Sequence, residues 1–125
     1  MSKPLRINST EETPEINFDP NAGVFKIIGC SYPENSQEFF TPIFDCIELY
    51  SQDPNDISIL EIGLDYFNSS SIKQVFQLMY IMEDILGSGK EAKVIWRCKK
   101  EDELMFQKGK EFQNFLDVPV EVVVY

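Results

Sequence analysis

Ile57-Ser58-Ile59-Leu60-Glu61-Ile62-Gly63-Leu64, continuing into Asp65-Tyr66-Phe67-Asn68-Ser69-Ser70-Ser71-Ile72-Lys73, is the most informative run of this 125-residue chain. Residues 57–64 have the aliphatic density of a central strand. Beyond them the period changes: Ile72, Val75, Phe76, Leu78, Met79, Ile81, Met82, Ile85 and Leu86 recur at helical spacing, leaving a narrow polar stripe through Lys73, Gln77 and Asp84. A buried strand therefore hands over to an apolar helix, residues 70–86, at three consecutive hydroxyls. A helix start leaves four backbone N–H groups without intrahelical partners and carries partial positive charge, so a phosphate on one of these serines would be stabilised. The junction can act as a switch. Equally, Asn68 or one of the serines can serve only as the helix cap.

The flanking segments complete an α/β pattern. Glu15-Ile16-Asn17-Phe18-Asp19 alternates polar and apolar, Pro20-Asn21-Ala22-Gly23 is turn chemistry, and Val24-Phe25-Lys26-Ile27-Ile28 supplies a second strand, together a hairpin. A turn-rich stretch from Gly29 to Asn35 precedes a helix with Phe39, Phe40, Ile43, Phe44, Ile47 and Tyr50 at the 3.6-residue period. Pro42 allows two starts: Thr41 caps a helix beginning at Pro42, or a turn beginning near Ser36 is kinked there. After the second helix, Gly87-Ser88-Gly89 is a stop, Ala92–Cys98 a strand, Asp102–Leu116 a third helix and Val120–Val124 a final strand. Met105, Gly109, Phe112 and Leu116 share a face of that helix, and Gly109 permits close approach to the sheet. Residues 1–14, polar and with two prolines, are expected to form a flexible lead-in, with one domain over 15–125. The order ββαβαβαβ implies a mixed sheet of four or five strands with its helices mainly on one face.

Composition narrows the function. With 21 acidic against 11 basic residues, the net charge of −10 repels polyphosphate backbones and anionic lipid surfaces, so nucleic acid is not expected as a partner, and with no segment reaching the eighteen or so apolar residues of a span, no membrane insertion is expected. Such a surface serves solubility, and it also suits a partner with a basic docking face. Histidine is absent, which removes the commonest general base, the usual triads and most zinc sites. Glu61, Asp65, Glu83 and Asp84 are strand-end and helix-surface acids of the solvated kind. Cys30, Cys46 and Cys98 form no close pair, so no disulfide framework, metal knuckle or nucleophile is drawn, and the chain is expected to be reduced and cytoplasmic. Gly87-Ser88-Gly89-Lys90 lies after a helix and before a strand, the reverse of a phosphate loop. No catalytic residue, cofactor or metal is expected.

The strand-to-helix serine junction resembles the phosphorylatable junction of STAS domains, the anti-sigma-factor antagonists. Glu12-Thr13-Pro14-Glu15-Ile16, then Gly29-Cys30-Ser31-Tyr32-Pro33-Glu34-Asn35-Ser36, then Tyr66-Phe67-Asn68-Ser69-Ser70-Ser71-Ile72-Lys73 are similar to successive signature blocks of the SiaC family of bacterial regulatory phosphoproteins. The likeness spans roughly residues 10 to 115. It implies a STAS-like single domain and a non-enzymatic adaptor. In that family the unmodified protein binds and activates a diguanylate cyclase, raising cyclic di-GMP and promoting biofilm or aggregation. A dedicated kinase phosphorylates the switch hydroxyl and a PP2C-type phosphatase restores it. The family's Asn-Thr-Ser-Ser motif puts the modified hydroxyl at Ser69, serine replacing threonine, with Ser70 and Ser71 as alternatives. Tyr32, Glu34, Asn35, Asn68, Ser70 and Lys73 would then form the partner-binding surface. In the other reading of the Ser31–Ser36 loop, Pro33 and Asn35 set a turn and Ser36 helps start a helix. The alternative function is a small-ligand-binding module, enclosing a lipid or nucleotide-like molecule between helix and sheet.

Overall fold

The hairpin expected around Pro20-Asn21-Ala22-Gly23 forms the antiparallel half of a six-stranded sheet. The structure is a computed structural model and describes residues 3–125. Its elements are β1 (Leu5–Ile7), β2 (Glu15–Asp19), β3 (Val24–Ser31), α1 (Ser36–Ser51), β4 (Ile57–Phe67), α2 (Ser69–Gly87), β5 (Glu91–Cys98), α3 (Glu103–Phe115) and β6 (Val120–Val124). The strands lie in chain order, β1-β2-β3-β4-β5-β6. The first two pairings are antiparallel and the remaining three parallel. Each parallel step moves the same way across the sheet. Because such crossovers are right-handed, α1, α2 and α3 fall on one face.

One strand was not expected. Within the supposed lead-in, Leu5 pairs with Phe18 and Ile7 with Ile16, and both side chains pack against the core. Three residues are too few to show strand alternation, so the prolines and polar neighbours dominate that segment's reading. Residues 1 and 2 of the lead-in lie outside the described residues. The sheet accordingly has six strands, where four or five were expected.

Alternation sets the two faces. Ser58, Leu60, Ile62 and Leu64 of β4, with Ala92, Val94, Trp96 and Cys98 of β5, face the helices and are buried. Against them pack Phe40, Ile43 and Ile47 of α1 and Val75, Leu78, Met79 and Met82 of α2, all fully buried. Burying one such side chain stabilises the fold by roughly 1.5–3 kcal/mol. Gly109 lets α3 reach the sheet: a Cβ there would lie 2.6 Å from Trp96 Cδ1, and the Trp96 indole N–H donates to the Met105 carbonyl at 2.9 Å. The opposite face carries ion pairs, Arg97 with Glu61 at 3.4 Å and Lys93 with Glu121 at 3.6 Å. The exposed Lys93–Glu121 pair contributes about 0–1 kcal/mol, while Glu61 of the other pair is half-buried.

Helix α1 begins at Ser36, the second of its two expected starts. The Asn35 side chain accepts from the Glu38 N–H at 3.1 Å, and Pro42 lies inside the helix on its exposed side. The Thr41 hydroxyl donates to the Gln37 carbonyl at 2.7 Å instead of capping.

Candidate functional site

Parallel pairing of β3 with β4 lays their C-terminal ends side by side, and with them the loops that open α1 and α2. The register runs Phe25 with Leu60, Ile27 with Ile62 and Gly29 with Leu64, then slips so that Cys30 meets Tyr66 and Ser31 meets Phe67. Asp65 is the extra residue of this bulge. A bulge reverses the side on which the following side chains emerge. Leu64 therefore faces the core, Tyr66 is thrown outward and is 55% exposed, and Phe67 turns back toward the helices. Tyr66 meets Tyr32, also exposed, edge to face at a centroid distance of 5.5 Å.

Two backbone hydrogen bonds draw all three sequence blocks together. The Tyr32 N–H donates to the Glu12 carbonyl at 2.7 Å, and the Asn68 N–H donates to the Ser31 carbonyl at 3.0 Å. Gly29, in β3 at the register slip, has φ +124, a left-handed value that favours glycine, and a Cβ there would meet Pro14 Cα at an ordinary contact distance of 3.6 Å. Residues 12–16, 29–36 and 66–73 thus meet at one end of the sheet, the end where ligands and partners of parallel α/β folds gather.

The three serines are not equivalent. Asn68 is the cap of α2, its side-chain oxygen accepting from the Ser71 N–H at 2.8 Å and from the Ser70 hydroxyl at 3.3 Å. Ser69 is the first helical residue and is exposed. Ser70 is exposed as well. Ser71 is fully buried, and its Oγ accepts from the Ser31 hydroxyl at 2.8 Å. With the Ser71 N–H taken by the cap, the Ser69 and Ser70 N–H groups are the donors left open at this helix start among the described residues. An anion on the Ser69 hydroxyl would sit beside them.

Glu34 and Lys73 are exposed, and so is Asn35, whose side chain is occupied in capping α1. Sequence reasoning had not included Ser31, Tyr66 or Leu104. Leu104, 85% exposed on α3, borders a groove of about 400 Å³ shared with Asp65, Tyr66, Phe67, Asp102 and Lys108. Asp65 lies 3.4 Å from Lys99 and raises that lysine's pKa, first by the hydrogen bond and then by its charge. Among the described residues no cluster of acids and cysteines could hold a metal ion, and no helix is long and apolar enough to cross a membrane.

Comparison with known proteins agrees with this arrangement. Residues 7–125 match the family model described as SiaC family regulatory phosphoprotein. An uncharacterized protein of Pseudomonas aeruginosa (strain UCBPP-PA14) is 31% identical over 115 residues, 92% of this chain and 91% of the relative. The crystal structure of the diguanylate cyclase SiaD in complex with its activator SiaC from Pseudomonas aeruginosa contains a chain that is 30% identical. It superposes with a TM-score of 0.91, over 97% of this chain and 99% of that one. Apo-SiaC of the same organism gives a TM-score of 0.88 at 29% identity, over 97% and 98% of the two chains. The match runs from Ile7, the last residue of β1, through the final strand and takes in every residue of the serine junction, so this chain belongs to the SiaC family of regulatory phosphoproteins.

Proposed function

We propose that the chain is a cytoplasmic, non-enzymatic partner switch whose unphosphorylated form binds and activates a diguanylate cyclase, and whose phosphorylation at Ser69 releases it. A cognate serine/threonine kinase adds the phosphate and a PP2C-type phosphatase removes it. The reading is supported above all by the similar SiaC chain being the activator of SiaD in their complex. The exposure of Ser69 at the mouth of α2 is compatible with access by both modifying enzymes.

The physical effect is electrostatic. Phosphorylation adds roughly −1.5 to −2 charges and three acceptor oxygens. Inside the free protein the open N–H groups and the helix dipole accommodate them. In a complex packed over Tyr32, Glu34, Asn35, Asn68, Ser70 and Lys73, the same group must be desolvated or must face partner acids, which costs on the order of several kcal/mol. About 3 kcal/mol corresponds to a roughly 100-fold weaker Kd.

The test is capture of the purified cyclase by immobilised protein. Ser69→Ala should retain the cyclase and Ser69→Asp should lose most of it. Equal capture by both variants would reject Ser69 as the switch.

A further inference from the structure

Ser31 and Ser71 are 40 residues apart in sequence, yet each is completely buried and their hydroxyls share a 2.8 Å hydrogen bond between the two loops of the site. The bond closes a ring. Ser31 Oγ–H donates to Ser71 Oγ, the Ser71 N–H donates to the Asn68 side chain, and the Asn68 N–H donates back to the Ser31 carbonyl. Asn68 immediately precedes Ser69, and Ser31 immediately precedes Tyr32. Each end of the ring is therefore one peptide unit from a residue of the proposed switch surface. The neighbouring Tyr32 N–H carries the connection on to Glu12.

We infer that the buried Ser31–Ser71 pair is a latch that couples the phosphorylation site to the Tyr32 loop. Ser31 and Ser71 act as positioning residues, and Ser71 takes no phosphate. The inference deepens the reading of Ser69 as the switch and rests on it for its biological role. An apolar pair could fill the same space, but it could not fix one relative position of the two loops, because dispersion is non-directional while a buried hydroxyl bond holds a distance and an angle. A charge placed on Ser69 pulls on the first turn of α2. Through Asn68 and Ser71 the pull reaches Ser31 and the docking loop.

The pair also provides its own control. Removing one hydroxyl leaves its partner buried without a bond, which destabilises the protein, whereas replacing both by apolar groups is nearly neutral. A merely structural role would therefore vanish in the double variant Ser31→Ala/Ser71→Ala. The experiment compares backbone amide NMR spectra with and without Ser69→Glu, in the native background and in the double variant. In the native background the charge should shift the amides of Glu12, Tyr32, Glu34 and Asn35 as well as those of the α2 first turn. In the double variant the shifts should stay confined to residues near Ser69, with the former set no more affected than a remote strand residue such as Val94. Equal shifts at Tyr32, Glu34 and Asn35 in the two backgrounds would overturn the latch. Should the double variant not fold, Ser31→Cys, which keeps the side-chain shape at a slightly larger size and weakens the donor, serves the same comparison. No cyclase is used, so a chain that passes here yet fails to bind the cyclase refutes the proposed function and leaves the coupling intact.

Discussion

Asn68 does three jobs with one side chain and one N–H group. It caps α2 through the Ser71 N–H, accepts from the Ser70 hydroxyl, and ties β4 to the end of β3. Replacing it by alanine keeps the backbone bond and removes both side-chain bonds. Asn68→Ala should therefore destabilise the protein by about 1 kcal/mol, the usual cost of losing a helix cap, readable as a shift of the urea midpoint at unchanged slope. A midpoint equal to that of the native protein would show that the cap is dispensable. Part of this chemistry was legible in the sequence and part was not. Asn followed by three serines before an apolar run marks a helix start whatever the fold. Ser71 falls on the stripe of Val75, Leu78, Met82 and Ile85, so its burial could have been read from the helical period. Ser31 offered no such signal, because its partner Ser71 lies on a helix that only the completed sheet brings alongside.

Strand β4 and helix α2 were the most legible elements, since an aliphatic run and a nine-residue apolar periodicity each admit one interpretation. The bulge at Asp65 was not legible. It exists only as a mismatch between two paired strands, yet it decides that Tyr66 and not Phe67 faces outward beside Tyr32. Helix α3 matches the expectation drawn from Gly109: the glycine is buried, and an added Cβ would meet Trp96 Cδ1 at 2.6 Å and Val122 Cγ2 at 3.0 Å. Gly109→Ala should force α3 away from β5 and β6 at a cost of about 1–3 kcal/mol, lowering Tm. The Trp96 fluorescence should change with it, since the indole N–H is held by the Met105 carbonyl. An unchanged Tm would mean that the helix shifts without loss. Because α3 borders the groove with Asp65, Tyr66 and Leu104, this variant also perturbs a wall next to the proposed switch.

At the scale of the whole molecule, one end of the sheet gathers residues 12–16, 29–36 and 66–73, with the helical layer packed on one face of that sheet. The strand β1, hidden in a proline-bearing polar segment, closes the antiparallel edge and places Leu5 and Ile7 on the core. Deleting residues 1–8 should lower stability by about 1–3 kcal/mol, the worth of two partly buried aliphatic side chains, and leave a folded protein. Loss of all cooperative unfolding would show that β1 is indispensable, and no loss that it is ornamental. The net charge of −10 bears on solubility and on the sign of charge a docking partner would present, not on the fold. The most direct measurement of the switch is the rate of cyclic di-GMP synthesis by the purified cyclase as this protein is titrated in, once unmodified and once stoichiometrically phosphorylated on Ser69. Activation by the unmodified protein, with the phosphorylated one requiring roughly 100-fold more for the same rate, is the expected result. Equal activation by the two forms, or none by either, would contradict it.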